Sequence, residues 1–189
     1  MFKRNLVLVL VFSLLLVTTS GAAALQQAEV SRGLSSLAYG IQTLNGELIA
    51  LNLHSDIGFS QNFGLEGMLT YYNQDAQTDE WIADVNAKLN FVQETDTNVT
   101  GLVGIHTQVD NGFDSVWPRV GVLVSQSQTS SLDFNTGIDF LLEKDSNYIG
   151  YMLGFDYMLT RNLHMEVEHR RFSGQSKTEG LNIAFRQYF

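Results

Sequence analysis

The stretch Gly180-Leu-Asn-Ile-Ala-Phe-Arg-Gln-Tyr-Phe189 alternates in polarity along its length. In an extended backbone, successive side chains point to opposite sides. One side then carries Leu181, Ile183, Phe185 and Phe189, and the other carries Asn182, Ala184 and Arg186. A period of two residues is typical of a β-strand with one apolar and one polar face. We therefore predict a strand over 180–189.

Similar alternation recurs along the chain, with turn-forming residues between the segments. In the clearest segment, 81–92, the residues Asp84, Asn86 and Lys88 oppose an apolar face. The ten predicted strands are 34–43, 49–59, 63–73, 81–92, 98–109, 116–125, 132–142, 148–159, 163–172 and 180–189. Ten is an even number, as single-chain bacterial barrels require, so the predicted fold is all-β, an antiparallel up-and-down transmembrane β-barrel. Eight strands are the alternative, because 34–43 alternates least clearly.

Residues 1–24 have the composition of an export signal. Lys3 and Arg4 form a basic start, Leu6 to Val17 form a 12-residue apolar run, and Ala22-Ala23-Ala24 offers a cleavage site. The run is shorter than the roughly 20 apolar residues of a membrane-spanning helix. We predict a cleaved signal peptide over 1–24 and one barrel domain over 25–189, with an uncleaved anchor as the alternative.

The polar faces of the predicted strands are rich in small residues, among them Gly104, Gly121, Gly137 and Gly154. Small side chains suit the concave interior of a barrel, whereas a convex surface in water does not need them. The bulky apolar side chains then lie outside, against lipid. This arrangement predicts a location in the bacterial outer membrane.

Aromatic residues set the expected orientation. In barrels of this kind the last strand pairs with the first and ends on an aromatic residue at the inner interface, so Phe185 and Phe189 are the predicted closing-strand signal. The machinery that assembles outer-membrane barrels is an expected partner. The outer interface would then carry Trp81, Trp117, Tyr71, Tyr72, Tyr148 and Tyr151. The inner interface would carry Phe59, Phe63, Phe91, Tyr157 and Phe189.

Two stretches 100 residues apart share a pattern. Asp56, Ser60, Asn62 and Glu66 in the first correspond to Asp156, Thr160, Asn162 and Glu166 in the second. Each describes a hairpin with a tight polar turn and an inward carboxylate on each arm. The second, 154–172, resembles the hairpins of small outer-membrane barrels of the OmpA/OmpX type. The resemblance implies the barrel architecture and no particular function, because such hairpins occur in barrels with different roles.

Charged residues gather on the predicted lumen face. They are Asp56, Glu66, Asp84, Asp133, Asp139, Asp156, Glu166 and Glu168, with Lys88, Arg119, Arg170 and Arg186. A symmetric last loop would place Glu166 directly opposite Arg186, within contact range. Two interpretations stay open. The charges either pair into a network that fills the interior, or they line a narrow pore whose acidic excess favours cations.

Few residues suggest catalysis. His54, His106 and His164 lie on separate strands without the spacing of a metal or protease motif, so we predict no catalytic residue, metal or cofactor. His169 and Arg171 fall on the lipid face near the outer rim, where both can reach lipid phosphates, including those of lipopolysaccharide if the bacterium makes it. A lipid A-modifying or other outer-membrane enzyme, or a surface adhesin or binding barrel, is the alternative to a structural or small-pore role.

The overall charge restricts the partners. The chain has 11 Lys+Arg against 20 Asp+Glu, and loss of residues 1–24 would remove two of the basic residues. Such a chain cannot neutralise a run of phosphates, which excludes nucleic acid. Cysteine is absent, so no disulfide framework is possible. Outer-membrane lipid is the expected surrounding, and the sequence leaves the oligomeric state open.

Overall fold

A computed structural model describes residues 27–28, 30, 33–44, 47–74, 78–109, 115–142, 147–173 and 180–189 of the chain. Its ten strands are β1 (Ser35–Leu44), β2 (Glu47–Gly58), β3 (Phe63–Gln74), β4 (Thr78–Gln93), β5 (Thr97–Val109), β6 (Ser115–Thr129), β7 (Leu132–Leu142), β8 (Asn147–Thr160), β9 (Leu163–Phe172) and β10 (Gly180–Tyr188). Within the described ranges, no helix is long and apolar enough to cross a membrane.

Each strand pairs with its sequence neighbours in antiparallel fashion, and β10 pairs with β1 to close the barrel. The predicted ten strands are confirmed, and the eight-strand alternative is wrong. The weakly alternating segment 34–43 is β1, which pairs with β10 from Ser36 to Thr43 and with β2 from Ser35 to Leu44. We call the end that carries the short connections 59–62, 94–96, 130–131 and 161–162 the inner end, and the opposite end the outer end.

The predicted strand limits lie close to the observed ones except in β6. This strand continues to Thr129, four residues past the predicted end at 125. Residues 126–129 are polar and lose the alternation, so the periodic signal stops before the strand does. The backbone pairing continues nevertheless, because Gln126 lies opposite Phe134 and Ser127 opposite Asp133 on β7.

The burial pattern is the reverse of that in a water-soluble protein. Along β10 the polar residues Asn182 and Arg186 are buried, whereas Leu181, Ile183 and Phe185 are exposed. Large exposed apolar side chains occur on β1–β8 and on β10, and Phe91 is 68% exposed. An apolar exterior around a polar interior is stable only where lipid surrounds the barrel. The strands, 9 to 16 residues long, meet the roughly nine residues that a tilted strand needs to cross a bilayer.

The aromatic residues of the inner end lie outside, as predicted: Phe59, Phe63, Phe91, Tyr157 and Phe189 are all exposed. At the outer end the prediction was partly wrong. Trp81 and Tyr151 are exposed and Tyr71 packs beside Trp81, with ring centroids 4.8 Å apart. Tyr72, Trp117 and Tyr148 face the lumen instead, because neighbouring residues of a strand alternate between its two faces.

Candidate functional site

Arg186 is the centre of a group of ion-paired side chains at the inner end of the lumen. It is fully buried. Its Nε donates to Glu166 on β9, and its Nη1 donates to Asp56 Oδ2 on β2 at 2.6 Å. Nη1 also lies 2.7 Å from Ser36 Oγ on β1, and Nη2 lies 2.9 Å from His54 Nδ1. The Arg186 guanidinium therefore connects four strands around the place where β10 pairs with β1.

Lys88 completes this inner cluster, which we define as Arg186, Glu166, Asp56, His54, Glu66 and Lys88. Asp56 lies directly opposite Glu66 in the β2–β3 ladder. Opposed like charges destabilise a sheet unless a counter-charge lies between them. Lys88 Nζ lies 2.8 Å from Asp56 Oδ1 and 3.9 Å from Glu66 Oε2. Lys88 therefore supplies that counter-charge.

The corresponding carboxylates of the second hairpin, Asp156 and Glu166, are also directly opposed. Here Arg186 bonds Glu166, while His164 Nδ1 lies 2.6 Å from Asp156 Oδ1. The two similar hairpins thus place paired carboxylates on the lumen face. Arg186 joins the hairpins, because it contacts Asp56 of the first and Glu166 of the second.

The predicted register of the last hairpin was wrong by two residues. Glu166 lies opposite Ala184, and Arg186 lies opposite His164. A symmetric 173–179 loop would pair residue 172 with residue 180, whereas Gly180 pairs with Arg170. The charged side chains nevertheless meet along the diagonal of the ladder, a separation that a long side chain can bridge.

A second group, the outer cluster, lies towards the outer end and consists of Arg119, Asp139, Arg170, Asp84 and His106. Arg119 Nη2 lies 2.6 Å from Asp139 Oδ2, and Arg170 Nη2 lies 3.1 Å from the same oxygen. Arg119 Nη1 lies 3.2 Å from Asp84 Oδ1, and His106 Nδ1 lies 2.8 Å from it. Two guanidiniums therefore balance two carboxylates across β4, β6, β7 and β9.

Uncharged side chains fill further parts of the lumen. Asn52 Nδ2 donates to Asn182 Oδ1 at 3.1 Å, and the Tyr72 hydroxyl donates to Gln42 Oε1 at 3.2 Å. Tyr72 also packs with the buried Ala50 and Ile82. Side chains of several strands therefore meet across the interior, as expected for a small barrel with a filled lumen.

The remaining predicted residues lie as follows. Glu168 is fully buried on the lumen face, opposite Asn182 of β10. Arg171 is exposed near the outer end of β9, and the partly exposed His169 shares its outward face. Phe185 is exposed on the closing strand, and Phe189 donates its amide to the Ser35 carbonyl at 2.9 Å.

His54, Asp56 and Glu66 offer ligand atoms within 4.8 Å of one another, a spacing that can hold a metal ion. Two fixed cations already lie against this group, since Lys88 contacts both carboxylates and Arg186 contacts Asp56 and His54. A metal ion would have to displace or approach these like charges. We therefore assign no metal to the cluster.

The sequence analysis missed a part of the chain that lies inside the lumen. Ala28, seven residues before β1, is fully buried and packs with Leu102, Leu123 and Met152. A cavity of about 230 Å³ lies at the inner end next to it. Its lining includes Gln27, Asn98, Ser125, Asp133, Asn135 and His164.

Comparison with known proteins finds no family. No protein-family profile and no curated protein matches the chain. Among solved structures, the KdgM porin matches with a TM-score of 0.47 and 9% identity over 82% of this chain and 99% of that chain. The COG4313 outer membrane channel from Pseudomonas putida F1 matches with a TM-score of 0.49 and 10% identity over 88% and 97%. Ail, the attachment invasion locus protein of Yersinia pestis, matches with a TM-score of 0.29 and 14% identity over 83% and 95%.

These sequence identities and TM-scores are too low to assign the chain to a family, and they do not single out the OmpA/OmpX type. The geometry itself decides the class. The sheet is closed and antiparallel, its exterior is apolar, and its interior is polar and charged. These are the properties of a bacterial outer-membrane β-barrel.

Proposed function

We propose that this protein is a passive structural barrel of the outer membrane whose lumen is closed at rest. The observation that carries the proposal is Arg186, which is fully buried in the inner half of the lumen and bonded to side chains of β1, β2 and β9. A water-filled channel needs polar groups that face water. Here the charged groups face one another.

The outer cluster supports the same proposal. Arg119 and Asp139 are each 3% exposed, although both carry full charges. Buried charges are tolerated when they are paired and hydrogen-bonded, and this pairing leaves them little contact with water. A solute would have to disrupt both clusters to cross the barrel, so we expect the resting protein to exclude ions.

Planar-bilayer conductance of the refolded protein tests this proposal. We expect no discrete current steps from protein whose folded state is confirmed by heat-modifiable gel mobility. A conducting porin, refolded in the same lipid, serves as the positive control. Reproducible steps that scale with the amount of folded protein would refute a closed lumen and establish a pore.

A small pore is the second candidate, favoured by the cavity at the inner end. Among the described residues of the inner cluster and of Asp156 beside it, the four carboxylates Asp56, Glu66, Asp156 and Glu166 outnumber the two fixed cations Lys88 and Arg186. An open state should therefore prefer cations mildly. If current steps are seen, a reversal potential in a salt gradient measures this preference, and anion selectivity would contradict it.

We propose that His169 and Arg171 contact lipid headgroups of the outer leaflet. The exposed Arg171 side chain can extend along the apolar surface and place its charge among phosphates. We expect Arg171→Ala to weaken binding of fluorescent lipopolysaccharide to the refolded barrel, whereas Arg161→Ala, at the inner end, should not. Equal binding by both variants would remove the assignment.

The predicted signal peptide and the predicted assembly signal are also proposals. Cleavage of residues 1–24 predicts a mature protein that begins at residue 25, which intact-mass measurement of protein purified from membranes decides. Recognition of Phe185 and Phe189 by the barrel-assembly machinery predicts that Phe189→Ala lowers the folded yield in cells and leaves refolding in detergent unchanged. A loss of both would indicate an intrinsic folding defect instead.

The enzyme and adhesin alternatives have less support. Ser173, the serine nearest in sequence to His169, accepts a hydrogen bond from the Ile149 amide at 3.1 Å, so it already has a structural role. The outer connections that a surface adhesin would use lie mostly outside the described residues. We therefore assign no catalytic residue.

A further inference from the structure

We propose that Gln27, Ala28 and Val30 act as a displaceable plug that closes the inner half of the lumen by binding a groove on its wall. The chain just before β1 is fixed at the inner end, where Gly33 N donates to Gly58 O at 3.0 Å and Gly58 N donates to Leu34 O at 2.8 Å. Gly33 has φ of 78°, a left-handed conformation that favours glycine. Gly33 therefore forms a turn just before β1.

The three plug residues contact several strands of the lumen wall. Val30 is buried against Gly64 on β3, where an added methyl group would lie 3.2 Å from Val30 Cγ1. Ala28 reaches β5 and β6, and Gln27 reaches β8 and β9. These three residues therefore contact strands that lie on different sides of the ten-stranded ring.

The groove under Ala28 can bind a peptide backbone. Ala28 N donates to Ser125 Oγ at 2.9 Å, and the Ala28 carbonyl accepts from Thr100 Oγ1. The Ala28 methyl group packs on Leu102 and Leu123. Two hydroxyls thus bond the backbone N–H and C=O of Ala28, and an apolar floor packs against its methyl group.

Gln27 anchors the end of the plug among carboxylates. Its amide nitrogen donates to Asp156 and, at 3.1 Å, to Glu166 Oε1. Its amide oxygen accepts from the Tyr188 hydroxyl at 2.7 Å. Asp156 and Glu166 are directly opposed in the sheet, so a neutral donor shared between them reduces their repulsion without adding charge.

The plug fills space that the inner cluster does not reach. That cluster comes from β2, β3, β4, β9 and β10, whereas the facing wall of β5–β7 presents the short uncharged residues Thr100, Ser125 and Asn135. The 230 Å³ cavity continues along this wall. Without the plug, the cavity would extend to Leu102 and Leu123.

Two features make the segment displaceable. Within the described part of the chain, Gln27 and Ala28 bond to side chains of the wall and do not join a strand ladder. The neighbouring cavity also leaves room for movement. The predicted leader ends at residue 24, so cleavage there would place a free chain end close to Gln27.

Cysteine cross-linking tests the plug, because the natural chain contains no cysteine. In the refolded full barrel, Ala28→Cys with Ser125→Cys should form a disulfide, or a short bis-thiosulfonate bridge, within minutes of mild oxidation or reagent addition. The control pair is Ala28→Cys with Gln126→Cys, whose second position is adjacent in sequence but exposed on the other face of β6. Equal cross-linking of both pairs would overturn the proposal.

A second measurement covers displacement. Ser125→Cys should react with a water-soluble maleimide about tenfold faster when residues 27–30 are deleted, since the rate of a protected group follows its open population. Gln126→Cys should react equally in both backgrounds, and gel mobility verifies folding. An unchanged rate at Ser125→Cys would show that nothing covers the groove. Neither measurement uses conductance. The plug can therefore be disproved while the proposed passive role stands, and the passive role can be disproved while the plug stands.

Discussion

Replacing Arg186 with methionine should lower the free energy of unfolding by about 3–5 kcal/mol, the range seen when one partner of a buried ion pair is removed. The guanidinium is fully buried and contacts both Glu166 and Asp56. Methionine preserves most of the volume but leaves Glu166 without this counter-charge and removes one of the two fixed cations described beside Asp56. Urea titration of the refolded barrel in lipid vesicles, followed by tryptophan fluorescence, measures the change.

Arg171→Met is the matched control, because it makes the same substitution at an exposed arginine. Arg171 follows Arg170 on β9, but its side chain lies on the lipid-facing side of the sheet. Its effect should stay within about 0.5 kcal/mol, as for most surface substitutions. Adding Glu166→Gln to Arg186→Met should cost less than the two single changes together, which is the sign of coupling. Additive effects, or equal losses for Arg186→Met and Arg171→Met, would contradict a central role for Arg186.

Gly104→Ala should be strongly destabilising for a different reason. A Cβ at Gly104 would lie 2.7 Å from Asn86 Cα and closer still to Val85 O and Asn86 Oδ1. Backbone atoms cannot move aside cheaply, so the β4–β5 ladder must shift. Overpacking of this kind costs about 1–3 kcal/mol, measured with the same urea titration.

Gly67→Ala provides the comparison, since a Cβ there would meet nothing within 4 Å. Gly67 lies on β3, also paired to β4, and we expect its substitution to be neutral or slightly stabilising because glycine is unfavourable inside a strand. If both alanine variants unfold at the same urea concentration as the parent, the close approach at Gly104 has no energetic importance.

The strands could be predicted from the sequence because alternation repeats in nearly every segment. Where the alternation of polarity is weak, the predicted strand limits and orientations were wrong for physical reasons. The polar run 126–129 extends β6 through backbone pairing, which polarity does not encode. Likewise, Tyr72 and Trp117 were assigned to the outer girdle by residue type, although strand parity turns both towards the lumen.

The alternation of side chains along each strand identifies the residues that face the lumen. It does not identify which side chain each of them contacts. The partner of Arg186 across β10 depends on how the 173–179 connection offsets the ladder, and residue spacing alone does not determine that offset. The contact between Arg186 and Asp56 crosses β1, which only barrel closure brings about. Small Ala38, opposite Arg186 on β1, leaves space for it.

Gln27, Ala28 and Val30 escaped prediction because they belong to no strand. They show no extended alternation, and their contacts with Ser125 and Asp156 lie 97 and 129 residues away in sequence. Gly33 was a weak local signal, since glycine is common at turns in any barrel. Such segments become visible only when the three-dimensional interior is known.

The central claim is that apolar side chains face lipid while polar ones fill a closed lumen, and the two tryptophans test it most directly. Trp81 is 41% exposed on the outer face, whereas Trp117 lies against His106 on the lumen face. In vesicles of shallow-brominated lipid, the Trp117→Phe variant, which retains Trp81, should lose much of its fluorescence. The Trp81→Phe variant, which retains Trp117, should be quenched far less. Equal quenching of the two variants, or stronger quenching of Trp117, would contradict the orientation on which the whole account depends.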